Sequence, residues 1–185
     1  MTGETHTAVE IASQPAVWQD ALRMFEEHAG EIRALWDRGR FAQVILTGCG
    51  STYYASLVGA ALIQEQTGVA CRALPASELM LFPHSHFSPD TPTLLITVSR
   101  EGKTRETIEP ARLFRAHGQG MTLAVTCTGE SVLAQEADFV LATDSAREVS
   151  RAQTRSFSSM TLVLQALALT FSGRNAGEIL ATLPD

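Results

Sequence analysis

Short apolar runs alternate with longer stretches of helical spacing along this chain, and that alternation constrains the fold more than any other feature. Gln43–Thr47, Val69–Leu74, Thr93–Val98, Thr122–Thr126 and Phe139–Ala142 are mostly apolar and too short for helices. Buried strands read in this way. Strands that alternate with helices form βαβ units, and such units build a parallel sheet with helices on both faces. The expected class is α/β, a three-layer α/β/α sandwich.

The helical stretches carry their own signals. Residues 1–9 read as a loose end. Ser13-Gln14-Pro15 then predicts a helix start, with Ser13 as N-cap and Pro15 in the first turn. Trp18, Leu22, Phe25, Ala29, Ile32 and Trp36, widened by Met24 and Leu35, mark one apolar stripe to about Arg38. Its partner is either the core or another chain. A helix over Thr52–Thr67 ends at Gly68, a natural C-cap. Ala76–Leu81 predicts a short helix, and Pro83–Pro92, with three prolines, a loop. Thr104–His117 predicts a helix kinked at Pro110, and Ser131–Ala134 a single turn. The stretch from Gln153 or Thr154 to Phe171 is apolar nearly all round. Such a helix is buried in its own core or by a partner. Ala176–Leu183 gives a last short helix. The expected division is an N-terminal segment and amphipathic helix (1–40), a main domain (41–173), and a C-terminal helix or linker start (174–185).

Composition excludes several alternatives. The 185 residues have room for one α/β domain, and 45% apolar content is too high for disorder. Cys49, Cys71 and Cys127 show no C-x-x-C spacing, which argues against a zinc ribbon or a disulfide scaffold. Unpaired thiols fit a reducing, cytoplasmic setting. No apolar run approaches the roughly 18 residues of a membrane span. The polar stretch Met1–His6 lacks a signal-peptide layout. A net charge of −6 argues against nucleic acid as partner. Lys103 is the only lysine.

Two turns concentrate the chemistry. Gly48-Cys49-Gly50-Ser51-Thr52 and Ser99-Arg100-Glu101-Gly102-Lys103-Thr104 each follow a strand, open a helix and carry glycine and hydroxyls. Open parallel sheets bind ligands at the carboxyl ends of their strands. Free N–H groups at a helix N-terminus favour an anion there. The plainer reading is that the hydroxyls merely cap the helices. Neither turn is a nucleotide motif. Tyr53 stands where G-x-G-x-x-G needs its third glycine, and Thr97 where a P-loop needs its first. No cofactor is indicated.

These residues resemble the sugar isomerase (SIS) domain family, most closely the first of two such domains in isomerising glutamine–fructose-6-phosphate aminotransferases and related isomerases and deaminases. Glu10–Pro15 is similar to the family's E-I-x-x-Q-P opening, Cys49–Thr52 to C-G-T-S, and Ala76–Glu78 to A-S-E. Ser99–Thr104 stands in the place of S-x-S-G-E-T, and Glu148–Phe157 in that of E-x-x-x-A-S-T-K-A-F. The resemblance implies a five-stranded parallel sheet of flavodoxin-like type and a phosphorylated sugar or amino sugar as ligand. It implies phosphate contacts from Ser51 or Thr52, Ser99, Thr104 and N–H groups of the second turn, including Gly102. It places Cys49, Gly50 and Arg100 in the pocket lining, with Arg151 and Gln153 approaching the sugar. The implied partner is a second SIS domain or a second copy in a homodimer.

Two residues depart from the family pattern. Glu101 stands where a hydroxyl would face phosphate, and Lys103 where an acid would follow. A like charge at 4 Å costs on the order of 4 kcal/mol at an effective dielectric of about 20. Three outcomes are open: a ligand whose amine faces Glu101, a phosphate held by a rearranged Arg100/Lys103 set, or a degenerate site. No catalytic residue is identified. In two-domain relatives the base Glu, the ring-opening His and a Lys come from the second domain or the junction. Glu78 and Glu148 read as solvated or structural, His84 and His86 as surface histidines without a third metal ligand, and Cys49 as a pocket-lining thiol. The expected function is the phosphosugar-binding N-terminal half of an isomerase, aminotransferase or deaminase. The alternatives are a binding module without turnover and a ligand-free, dimerising remnant.

Overall fold

The central strands are buried on both faces, and their period of two sorts the core into two layers. In a computed structural model, which describes residues 5–184, β1 (Gln43–Gly48), β2 (Ala70–Pro75), β3 (Pro92–Ser99), β4 (Gln119–Thr126) and β5 (Phe139–Ala142) form one sheet. All pairs are parallel and the order is β2-β1-β3-β4-β5. Val44, Leu46, Leu94, Ile96, Leu123 and Val125 point to one face. Ile45, Leu95 and Ala124, one residue out of step, point to the other. The α/β sandwich with a five-stranded parallel sheet is the expected fold.

Three helices cover the first face. They are α2 (Gln14–Gly39), α3 (Ser51–Thr67) and α8 (Arg155–Phe171). Leu22, Phe25, Ile32 and Leu35 of α2 enter the same core as Met160, Leu164 and Leu167 of α8. Trp36 stacks on Phe171 with ring centroids 4.1 Å apart, and Trp18 Nε1 donates to Ser158 Oγ at 2.9 Å. The apolar faces of α2 and α8 thus bury each other within one chain. The second face is covered by α4 (Ala76–Leu81), α5 (Pro83–His86), α6 (Arg105–His117) and α7 (Val132–Glu136). The chain closes with α9 (Ala176–Leu180), capped by Asn175. Among the described residues no helix is long and apolar enough to cross a membrane.

Four local expectations change. A helix, α1 (His6–Ala12), replaces the loose end. Thr5 Oγ1 caps it, and its Glu10 is buried against a distant loop. Ser13 is not a side-chain cap. Its backbone is already helical, so α1 runs almost directly into α2, and its hydroxyl donates to Glu10 O instead. The loop Pro83–Pro92 contains the single turn α5, which Pro83 starts and buried Phe87 anchors, and Pro92 already belongs to β3. Strand β4 begins at Gln119 rather than Thr122, because Gln119 and Gly120 pair with Pro92 and Thr93. As expected, α6 contains Pro110 and runs on to His117. Met1–Glu4 of the predicted loose end, and Asp185 of the predicted linker start, lie outside the described residues.

Candidate functional site

The strand order changes direction between β1 and β3, so the connections leaving these two strands diverge and open a crevice. Gly48 pairs with Val98 at the carboxyl ends, which sets the two glycine-bearing turns side by side. A cleft of about 270 Å³ lies there, lined by Cys49, Thr52, Ser99, Arg100, Glu101, Lys103, Thr104, Thr107 and Gln153.

Both flanking helices present uncapped N-termini. Gly50 is the N-cap of α3 and has no side chain to offer; its φ of 62° is a conformation suited to glycine. Thr104 is the N-cap of α6, yet its hydroxyl makes no capping bond. The plain capping reading therefore fails at both turns. Thr52 Oγ1 serves the first turn internally, accepting from Cys49 N at 2.9 Å and donating to Cys49 O at 3.0 Å. Ser99 Oγ accepts from Gly102 N at 3.2 Å, which leaves its own proton to donate. Gly102 also has φ 62° and packs against Ser131.

The charges sort themselves by pairing. Arg100 Nη2 donates to Glu101 Oε1 at 3.0 Å, with the carboxylate half exposed. A pair of that exposure contributes about 0–1 kcal/mol, but it directs the acid toward arginine. Lys103 makes no ion pair among the described residues and is exposed at the cleft. On the far side of the same turn a second cleft of about 220 Å³ is lined by Cys127, Thr128, Arg147 and Glu148, sharing Arg100, Glu101 and Lys103. Burial pushes the Glu148 carboxyl up, but hydrogen bonds from Ser156 and Thr154 outweigh it and hold the group below the ordinary carboxylate value. Glu148 is thus the anchor of the start of α8, accepting from Thr154 N at 2.7 Å.

Of the sequence candidates, Gly50, Ser51, Gly102 and Arg151 do not line the cleft. Gly50 and Gly102 shape the turns, Ser51 opens α3, and Arg151 is exposed and lends its carbonyl to Arg100 at 3.5 Å. Gln153 lines the cleft, and its buried carbonyl oxygen has no hydrogen-bond partner among the described residues. Sequence reading missed Thr107. It is buried, it lies three residues beyond Thr104 in the first turn of α6, and its hydroxyl donates to Thr104 O at 2.8 Å. That one-turn spacing was the available signal. His86 lies outside the cleft, with Nε2 3.1 Å from Glu78 Oε1, and His84 packs edge-on against His117. No group of three or more metal-ligating side chains occurs among the described residues.

The chain is similar to two glutamine–fructose-6-phosphate aminotransferases. It is 33% identical over 147 residues to that of Symbiobacterium thermophilum, covering 80% of this chain and 22% of the relative. It is 28% identical over 166 residues to that of Aeropyrum pernix, covering 89% and 26%. Its fold is like that of the Escherichia coli tagatose-6-phosphate ketose/aldose isomerase, with a TM-score of 0.82 at 26% identity, covering 90% of this chain and 47% of that one. The chain thus spans about a quarter of these two curated relatives and about half of that solved chain. The sequence model of the SIS domain matches residues 41–170. With its glycine-bearing turns set together at the divergence of β1 and β3, this chain belongs to the SIS domain family.

Proposed function

We propose that this SIS domain binds a phosphorylated sugar or amino sugar, with the phosphate held between the N-termini of α3 and α6. The observation that carries the reading is that both N-termini lack a side-chain cap and open on one polar cleft, whose Lys103 makes no ion pair among the described residues. Ser99, Lys103 and Thr104, which line the cleft, and main-chain N–H groups are the proposed donors. Of the three outcomes left open by Glu101, pairing with Arg100 favours a phosphate held by a rearranged basic set, in which Arg100 neutralises the acid and Lys103 meets the ligand. The names of the relatives, all acting on sugar 6-phosphates, support this ligand class.

The lining offers donors and one carboxylate already held by Arg100, so what it does unaided is bind. The domain is therefore proposed as one half of an isomerase, aminotransferase or deaminase unit, with acid–base groups supplied by a second SIS domain or a second copy. Tyr54, Leu57 and Val58 form an exposed apolar stripe on α3, which supports such a covering partner. A cytoplasmic location belongs to the same reading and is supported by three free thiols.

The test is a thermal-shift panel of fructose 6-phosphate, glucosamine 6-phosphate, galactosamine 6-phosphate, inorganic phosphate and the free sugars. A ligand at about 100 times its Kd adds about 2.7 kcal/mol, a shift of several degrees in a domain of this size. Phosphosugars are expected to stabilise and free sugars not. Lys103→Ala is expected to weaken binding about tenfold or more, the worth of a charged hydrogen bond. A flat panel would remove the reading and bring forward the ligand-free alternative.

A further inference from the structure

Residues 6–12 precede residues 41–170, which the SIS sequence model matches, yet one of them, in the family-like opening Glu10–Pro15, is built into the support of the cleft. Glu10 is 3% exposed, although it is a carboxylate on a helix that is otherwise largely exposed. A buried carboxylate needs donors to replace lost water. Here Val149 N–H donates to Oε1 at 2.6 Å, Ser150 N–H at 3.3 Å, and the Ser150 hydroxyl donates to Oε2. All three donors belong to two adjacent residues, so the carboxylate holds the main chain rather than a single side chain.

Those two residues sit in the turn that joins Glu148 to the start of α8. The turn's other side meets the second ligand loop. Ser150 O accepts from Arg100 Nη1 at 3.1 Å, and the same guanidinium donates to Glu101. Gln153, at the end of the turn, places its unpartnered carbonyl oxygen at the cleft. Ser13 Oγ accepts from Arg155 Nη1 at 3.1 Å, so the α1–α2 junction grips the turn at a second point.

From this geometry we infer that Glu10 is a positioning residue for the cleft. It fixes the main chain at Val149 and Ser150, which supplies the carbonyl that aims Arg100 and the backbone that carries Gln153. The inference rests on the phosphosugar reading of the cleft. Without the carboxylate, the two N–H groups turn toward water and the turn relaxes. Arg100 then loses its carbonyl acceptor, and the Arg100–Glu101 pair is free to move. An unrestrained Glu101 opposes a phosphate.

The experiment compares wild type, Glu10→Ala and Glu10→Gln as full chains. It measures fructose 6-phosphate and inorganic phosphate binding by calorimetry, and amide hydrogen exchange without ligand. Glu10→Ala is expected to bind about tenfold more weakly, as misplaced binding groups do. It is also expected to speed exchange at Gly102 and Cys127, whose N–H groups donate to Ser99 Oγ and Arg100 O within the ligand loop. Glu10→Gln keeps an amide oxygen for the two N–H groups and should stay within about threefold of wild type. Faster exchange confined to α1, Val149 and Ser150, with affinity unchanged, would reduce Glu10 to a local anchor and overturn the inference. If Glu10→Ala does not fold, Ser150→Ala removes one donor from the opposite side. A smaller loss in the same direction is then expected, and no loss overturns the inference. If wild type binds neither probe, the phosphosugar reading fails, while exchange at Gly102 and Cys127 still decides whether Glu10 controls the loop.

Discussion

Three free thiols stand in three settings. Cys49 is exposed at the cleft, Cys71 is partly buried on β2, and Cys127 is buried beyond β4. Burial pushes the Cys71 thiol up to about 12, and burial with the nearby Glu148 charge does the same for Cys127. Thiolate is the reactive form, so both are inert near neutral pH. Iodoacetamide at pH 8 is expected to label Cys49 at least about a hundredfold faster than either of the others in the native protein. Peptide mapping by mass spectrometry reads this directly, and equal labelling of all three would contradict the burial described.

At the level of elements, the two turns are held by glycines that differ in what surrounds them. Gly50 and Gly102 share a φ of 62°. A Cβ on Gly50 would meet nothing within 4 Å, whereas one on Gly102 would fall 2.1 Å from Ser131 Oγ. Gly50→Ala is expected to cost about 1 kcal/mol of stability from backbone strain alone, and Gly102→Ala about 2 kcal/mol or more from strain plus collision. Urea unfolding of the two variants measures the difference. These turns were legible in the sequence because strand, glycine, hydroxyl and helix start follow one another locally. Strands β1 and β3 were legible for a similar reason, since burial on two faces leaves an apolar run. What escaped was non-local. Gln119 and Gly120 are in a strand because Pro92 and Thr93 lie beside them. Helix α1 is explained by partners of Glu10 139 and 140 residues away. The freedom of Thr104 and the internal use of Thr52 depend on side-chain geometry that spacing does not encode.

Across the whole molecule, α2 shares a core with the sheet and α8 although it precedes the family's matched residues. Both tryptophans, Trp18 and Trp36, are on α2. Their fluorescence therefore reports the docking of that helix, while far-UV circular dichroism reports all helices and strands. The two unfolding curves are expected to coincide, because Phe25, Ile32 and Leu35 leave the same core that the strands lose. A fluorescence transition ahead of the dichroism would show that α2 detaches as a separate unit.

The pairing of Gly48 with Val98 bears on how the chain comes into being at the ribosome. The two halves of the grip are synthesised a whole crossover apart, and parallel pairing of non-local strands forms late because a long loop must close first. On the proposed function, a nascent fragment ending before β3 lacks the second turn and with it half of the proposed phosphate grip. Occupancy of the cleft by the proposed phosphosugar would in this sense be a certificate of completed folding, since a ligand that binds only the folded chain preserves the copies that have passed.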